Sequence, residues 1–97
     1  MARTPIHPDT ILTDKLREIR INGTTLARII GVPPNRISQI VAGKRIVTAD
    51  TSLRLGKFFG TGPELWLNLQ KTYELRLAQK GLGEILTKIP HYSAVAR

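Results

Sequence analysis

Turn-forming residues, mostly glycine and proline, interrupt this chain at short intervals, and they constrain its fold more than any other feature. The interruptions are Pro8, Asn22-Gly23, Gly31, Pro33-Pro34, Gly43, Gly60, Gly62-Pro63, Gly81, Gly83 and Pro90. Between them, apolar residues recur at spacings of three and four, and no segment sustains the alternation that is typical of strands. The pattern predicts an all-α protein made of short helices, without internal repeats.

Length and composition indicate one small domain, residues 1–97. The chain has a mass of 10.8 kDa, and 41% of its residues are hydrophobic, which is enough for a compact core. No apolar run approaches the roughly 18 residues of a membrane span, and the N-terminus lacks the apolar stretch of a secretory signal. Cysteine is absent, which excludes disulfides and thiolate metal sites. We therefore expect a cytoplasmic domain that does not bind a membrane.

The chain is strongly basic, with 15 Lys and Arg against seven Asp and Glu and a formal net charge of +8. Most of the excess lies in residues 1–60, whose ten basic and four acidic residues give +6. The charges are interleaved with apolar residues, as on the outer surface of a folded helical domain. Such a domain usually binds a polyanion, and the alternative is charge that serves only solubility.

The first two predicted helices have clear start signals. The first begins at Pro8, a good first-turn residue, and carries an apolar stripe made of Ile11, Leu12, Leu16 and Ile19. His7 would cap this helix. Asn22 is a fitting N-cap for a second helix over residues 24–30, and Gly31 can adopt the left-handed conformation that ends it. The inward face of the second helix comprises Leu26, Ala27 and Ile30.

The third and fourth helices are predicted from the same signals. The third begins at Pro33 or Pro34 and runs to Ala42, and its inward residues are Ile37, Ile40 and Val41. Thr48 caps the fourth, over residues 49–59, and its inward residues are expected to be Ala49, Leu53 and Phe59. Gly60 ends it.

A fifth helix over residues 63–79 has apolar side chains around most of its circumference. We expect one side to pack on the domain and the other to form a two-fold homodimer interface. That interface would contain Leu65, Trp66, Leu69, Tyr73 and Leu77. The alternative is that residues 81–92 fold back over this side. For the tail, residues 80–97, a short helix, an extended arm and partial disorder all stay open.

The second and third helices form a predicted helix-turn-helix around Gly31-Val32-Pro33. Small Ala27 lets the helices cross closely, and Gly31 supplies a positive φ without strain. The outer side of the third helix is left polar, with Asn35, Arg36, Ser38 and Gln39. This layout is typical of a DNA-reading helix-turn-helix, whose second helix faces base edges in the major groove. The alternative is a plain helical corner in a bundle.

The segment around this motif resembles a known family. The helix-turn-helix of the Cro/phage-repressor (XRE) family is similar to TLARIIGVPPNRISQIVAGKR. The HigA-type (VapI-like) antitoxins open with a segment that resembles IHPDTIL, and a longer segment of theirs resembles ISQIVAGKRIVTADTSLRLGKFFGTGPELWLNLQKTYELRLAQ. The resemblance covers roughly residues 6–79 and is more specific than a helix-turn-helix alone.

The resemblance implies a five-helix, lambda-repressor-like domain with a helix-turn-helix core at residues 24–42, a longer C-terminal helix and a short tail. It implies a bacterial, nucleoid-associated antitoxin that dimerises and represses its own operon at a palindromic operator. It also implies a partner toxin, a HigB (RelE-like) mRNA endonuclease that the antitoxin neutralises, and no cofactor. A stand-alone XRE-type regulator and a toxin-binding module with vestigial DNA binding are the alternatives.

Three departures from the family pattern bear on the site. Gly23 stands where many XRE proteins carry a Gln that contacts phosphate, so no side-chain contact is expected there. Pro34 replaces a base-reading Gln and offers only apolar contact, for example to a thymine methyl. Gly62 replaces a capping Ser, a change that costs only a few tenths of a kcal/mol.

We predict base readout from Pro34, Asn35, Arg36 and Gln39. Arg36 is the first candidate because Arg can donate two hydrogen bonds to guanine O6 and N7, and a phosphate contact or a solvent-exposed charge is its alternative. Asn35 would either read adenine or cap the helix. Gln39 would reach a base or face solvent.

Phosphate contacts are predicted for a second group, which comprises Arg28, Ser38, Lys44, Arg45 and Thr48. Lys44 and Arg45 would add affinity and salt dependence without sequence preference. For Arg28 an ordinary surface charge is an equal alternative, Ser38 would contact phosphate or pack below the groove face, and Thr48 is better explained as a helix cap.

An enzyme is not indicated. His7 and His91 both lie beside a proline, neither belongs to a metal-ligand cluster, and no glycine-rich phosphate loop is present. The acidic residues are scattered along predicted helices without an acid–base pair. We therefore predict neither catalytic nor metal-binding residues.

Overall fold

The computed structural model describes residues 7–93, which form six α-helices and no strand. In chain order they are α1 (Pro8–Ile19), α2 (Gly23–Ile30), α3 (Arg36–Val41), α4 (Ala49–Phe59), α5 (Pro63–Leu82) and α6 (Glu84–Lys88). The all-α prediction is confirmed. The tail adds a sixth, short helix to the five that the sequence indicated. In this part of the chain, no helix is both long and apolar enough to cross a membrane.

Three predicted N-caps are confirmed by hydrogen bonds. The imidazole Nδ1 of His7 accepts from the Asp9 amide at 3.0 Å, and Asn22 Oδ1 accepts from the Thr25 amide at 2.8 Å. Thr48 Oγ1 accepts from the Thr51 amide at 3.3 Å. Each bond satisfies one of the backbone donors that a helix start leaves unpaired, so these short side chains fix where α1, α2 and α4 begin.

The prediction that α3 begins at Pro33 or Pro34 is wrong, since the helix begins at Arg36 and ends at Val41. Residues 33–35 form a turn, which the Arg36 amide closes by donating to the Pro33 carbonyl at 2.9 Å. A proline restricts the residue before it to extended conformations, so Pro34 keeps Pro33 out of the helix.

The inward face of α4 also differs from the prediction. Ala49 is exposed and Leu53 is 60% exposed, whereas Thr51, Ser52, Leu55 and Gly56 are buried. Only Phe59, which is half-buried, faces inward as expected. The small residues of α4 admit α5: a Cβ at Gly56 would lie 2.3 Å from the carbonyl carbon of Gly62. The close approach of Gly56 to the Gly62 backbone therefore turns the side of α4 that carries Leu55, and not Leu53, toward the core.

The core gathers around Trp66. Its fully or almost fully buried apolar residues come from every helix from α1 to α5 and from the α3–α4 loop: Leu12, Leu26, Ala27, Ile37, Ile40, Val47, Leu55 and Trp66. The indole Nε1 of Trp66 donates to Thr61 Oγ1 at 3.1 Å, and its ring lies 5.7 Å from that of Phe59. Because Trp66 has no exposed surface, the prediction that it faces a dimer partner is wrong.

The second half of α5 leaves this core. The helix ends at Leu82, three residues beyond the prediction, and every residue from 77 to 92 is exposed. The molecule is accordingly elongated, with extents of 58 × 25 × 22 Å and a radius of gyration of 17.4 Å. A compact chain of this length would have a radius of gyration of about 13 Å. We call residues 75–93 the C-terminal arm; within it, α6 follows Gly83 and does not fold back over α5.

Candidate nucleic-acid interface

The α2–α3 turn has the close packing that the sequence predicted. Gly31 ends α2 with a φ of +78°, and the Val32 amide donates to the Ala27 carbonyl at 3.0 Å. Ala27 is fully buried. A Cβ at Gly23 would lie 3.2 Å from Ile37 Cγ2, so the glycine that departs from the family pattern lets the start of α2 approach α3. The packing of α2 against α3 thus holds α3 at the surface.

One face of α3 and the residues around it form a polar, basic surface. We define the α3 surface as Pro33, Pro34, Asn35, Ser38, Gln39, Lys44 and Arg45, of which all but half-buried Gln39 are exposed. Six of the predicted DNA contacts belong to this surface: Pro34, Asn35, Ser38, Gln39, Lys44 and Arg45. The Asn35 side chain makes no capping hydrogen bond, which leaves its amide available.

Arg36, the first candidate for base readout, does not lie with this group. It is half-buried, and its Nη1 lies 3.5 Å from Thr51 Oγ1, which also accepts from the Thr48 hydroxyl at 3.3 Å. At 3.5 Å the Arg36 contact is at the limit of a hydrogen bond. The guanidinium thus turns toward the start of α4, and a base contact would require it to swing out.

The loop after α3 is fixed at both ends. Gly43 takes a left-handed conformation with φ +75°, and the Lys44 amide donates to the Gln39 carbonyl at 2.8 Å. Further along, the Val47 amide donates to Gln70 Oε1 at 2.9 Å, a buried bond to α5. Arg45 lies between these two anchors, and its Nε donates to Gln39 Oε1 at 2.8 Å. Lys44 and Arg45 are therefore held beside α3 by backbone geometry.

The other predicted phosphate contacts are placed as follows. Arg28 is exposed in the last turn of α2. Ser38 is exposed, and its hydroxyl donates to the Asn35 carbonyl at 3.0 Å. Thr48 caps α4, the interpretation that the sequence favoured.

Sequence reasoning missed two polar residues that brace this surface. Arg54 Nη1 donates to the carbonyls of Ile30 and Gly31 at 2.7 and 3.2 Å, while its Nε donates to Asp50 at 2.7 Å. Gln70 is buried and bridges Val47 to Glu74, to which its Nε2 donates at 2.9 Å. Two signals in the sequence could have indicated them. They are the four-residue spacing of Asp50 and Arg54, and a glutamine that follows Trp66 by one turn on the same face.

Among residues 7–93, no three His, Asp or Glu side chains are close enough to hold a metal ion.

Comparison with known proteins identifies the family. The model of the helix-turn-helix family matches residues 16–66. Virulence-associated protein I of Dichelobacter nodosus is 40% identical over 86 residues, which are 88% of this chain and 80% of the relative. The chain belongs to the helix-turn-helix family. Its matched segment begins in α1 and ends at Trp66, so it contains the whole α3 surface.

Solved structures place this helix-turn-helix protein among relatives of the HigA kind. An addiction module antidote protein of a HigA family from Coxiella burnetii superposes with a TM-score of 0.87 at 43% identity, covering 93% of this chain and all of that one. The Pseudomonas aeruginosa antitoxin HigA, solved with the higBA promoter, gives 0.85 at 36% identity over 92% and 99%. The XRE and HigA resemblance predicted from the sequence is confirmed.

Proposed function

We propose that this chain is the antitoxin of a toxin–antitoxin module and represses its own operon by binding operator DNA. The α3 surface carries the proposal: exposed polar side chains on a short helix, beside a basic loop, in a chain of net charge +8. The basic side chains attract the DNA phosphates, and the polar side chains can form hydrogen bonds with base edges. The solved complex of the P. aeruginosa relative with promoter DNA supports the same function.

Within this surface we assign base contacts to Pro34, Asn35 and Gln39. Asn35 can pair with adenine N6 and N7, and Pro34 can meet a thymine methyl. Arg36 joins them only if DNA draws its guanidinium away from Thr51. This assignment gives Arg36 a second role, as a link between α3 and the start of α4.

Phosphate contacts are assigned to Arg28, Ser38, Lys44 and Arg45. The Lys44 amide is bonded to the Gln39 carbonyl, so its side chain starts from a fixed point next to α3. Thr48 keeps its role as the cap of α4.

We also propose that two copies pair through the exposed side of α5 and the arm. With Trp66 removed from the interface, its predicted members are Leu65, Leu69, Tyr73 and Leu77, which are half-buried or exposed. Two-fold pairing would hold two α3 helices about 34 Å apart, on successive turns of a palindromic site. Exposed apolar residues of the arm would extend this interface.

Toxin neutralisation is the second half of the proposed function, in the cytoplasm of a bacterium. The partner would be a HigB (RelE-like) mRNA endonuclease encoded beside this chain. The test is calorimetric titration of that purified gene product with this chain, together with an RNA-cleavage assay. Saturable binding with loss of cleavage is expected; no binding would leave a stand-alone regulator.

A titration of labelled DNA tests the repressor function. The purified chain is titrated against DNA from upstream of its own gene and against scrambled DNA, at two salt concentrations. We expect a preference for the upstream DNA of about 10³ or more and a steep salt dependence. Asn35→Ala should reduce the preference, whereas Lys44→Ala should weaken both DNAs alike. Equal, weak binding to both DNAs would contradict the proposal and leave α3 a structural element.

A further inference from the structure

One contact on the α3 surface restricts what Gln39 can read. Gln39 Oε1 lies 2.8 Å from Arg45 Nε, although Arg45 lies six positions further along the sequence. An arginine side chain has only donors, so the amide oxygen of Gln39, and not its nitrogen, must face Arg45. The orientation of the amide is therefore decided by the chemistry of its partner.

The Gln39–Arg45 contact is built on a fixed backbone. The Lys44 amide donates to the Gln39 carbonyl, and the Val47 amide is held by buried Gln70, so both ends of the loop around Arg45 are anchored. The side chains therefore start from fixed positions, which lowers the entropy cost of holding them together. DNA binding removes water from this surface, and a hydrogen bond is electrostatically stronger in such surroundings.

From this geometry we infer that Arg45 positions Gln39 as a hydrogen-bond donor, so that Gln39 reads guanine. A free glutamine amide pairs with adenine by accepting from N6 and donating to N7. With its oxygen held by Arg45, the amide offers the groove its NH₂ group. Guanine presents two adjacent acceptors, O6 and N7, to such a donor, whereas adenine presents its own N6 donor next to N7. This inference rests on the proposed DNA-binding function and adds a sequence preference to it.

Arg45 is thus a positioning residue as well as a source of positive charge. Its Nη atoms remain for a phosphate or for the same base. Lys44, its neighbour, carries the same charge but makes its bond to Gln39 through the backbone. Replacing Lys44 removes a charge and leaves the Gln39 amide as it is, so Lys44 is the matched control.

The experiment is a set of anisotropy titrations on upstream DNA in which each base pair of one half-site is changed to the other three. Gln39→Ala first locates the base pair whose preference depends on Gln39. There the wild type should prefer G·C over A·T about tenfold, within the range of one well-placed base contact. Arg45→Ala should abolish this preference or shift it toward A·T, whereas Lys44→Ala should keep it.

Two conservative variants separate charge from positioning. Arg45→Lys keeps the charge and loses the guanidinium Nε–H, so the salt dependence should remain while the G·C preference falls. Gln39→Glu keeps an oxygen for Arg45 but has no NH₂ group, so it too should lose the G·C preference. Lys44 and Arg45 are exposed and Gln39 is half-buried outside the core, so circular dichroism should report unchanged folding.

The results that would overturn this inference differ from the result that would overturn the proposed function. If the wild type is specific but Arg45→Ala weakens all sequences equally and keeps the G·C preference, Arg45 contacts phosphate only and the inference is overturned. A wild-type preference for A·T at the Gln39 position, or no position that responds to Gln39→Ala, also overturns it. If the wild type does not distinguish upstream from scrambled DNA, the proposed function itself fails, and this inference fails with it.

Discussion

The two halves of α5 lie in opposite surroundings, although they form one continuous helix. In the first half Trp66 and Gln70 are buried, and the chain from residue 7 to residue 74 packs around them. In the arm, Leu75 is 59% exposed and Ile85 57%, and no residue is buried. The boundary between a packed domain and an unpacked arm therefore falls inside a helix, at about residue 75.

This difference shows what local signals do and do not determine. Intrachain hydrogen bonds and good helix formers continue α5 to Leu82, far beyond the last residue that the core can cover. An isolated helical segment of this length is only marginally stable in water without packing. Exposed leucine and isoleucine along such a segment indicate a surface that another chain covers. The domain thus supplies its own core, whereas the arm leaves its apolar residues exposed, which supports the proposed pairing.

The largest contrast between the two regions is expected from Trp66→Ala. The substitution removes the largest buried side chain, its contact with Phe59 and its bond to Thr61, so the free energy of unfolding should fall by about 3–5 kcal/mol. Urea denaturation at low protein concentration measures it. Leu75→Ala in the arm should change stability by less than about 0.5 kcal/mol. Similar losses of stability in both variants would contradict a boundary between packed domain and arm at about residue 75.

A glycine-to-alanine pair should give effects of opposite sign. At Gly56 a Cβ would lie 2.3 Å from the Gly62 carbonyl carbon, so Gly56→Ala should destabilise the protein by about 2–3 kcal/mol. At Gly81, also within a helix, a Cβ meets nothing within 4 Å. Gly81→Ala should therefore stabilise the helical conformation of the arm by about 0.5–1 kcal/mol. Thermal unfolding followed by circular dichroism measures both; destabilisation by Gly81→Ala would mean that the arm is packed.

A smaller difference in stability is expected between replacing a glutamine in the packed domain and replacing one in the arm. Gln70→Ala leaves the buried Val47 amide without an acceptor, and the free energy of unfolding should fall by about 1–2 kcal/mol. Gln79→Ala, nine residues later on the exposed part of α5, should have no measurable effect. Hydrogen exchange of the Val47 amide provides the specific readout. It should accelerate in Gln70→Ala, and protection equal to that of the wild type would contradict the role of Gln70.

Short-range chemistry made much of this fold predictable from the sequence. The caps at His7, Asn22 and Thr48 and the left-handed end at Gly31 depend on neighbouring residues only, and all were predicted. The exclusion of Pro33 from α3 is also a local effect, because Pro34 disfavours the helical conformation at the residue before it. The family resemblance, based on a long collinear segment, predicted the fold in more detail than helix periodicity alone.

Features that depend on distant residues were not predictable in this way. The choice of Gly56 over Leu53 for the inward face of α4 depends on where Gly62 lies, and the burial of Trp66 depends on four other helices. In the candidate site, the exposure of Asn35 followed from the outer face of a predicted helix, and that of Lys44 from its place in the loop after it. The withdrawal of Arg36 to Thr51 and the pairing of Gln39 with Arg45 required the loop geometry.

Sedimentation velocity tests the central claim most directly, namely that a self-sufficient domain carries an arm through which two copies pair. The wild type and a Leu75→Ser, Leu77→Ser double variant are compared at tens of micromolar. Both positions are exposed, so the folded domain should tolerate the exchange. The account predicts a dimer for the wild type and a folded monomer for the double variant. A wild type that remains monomeric at these concentrations, or a double variant that still dimerises, would contradict it.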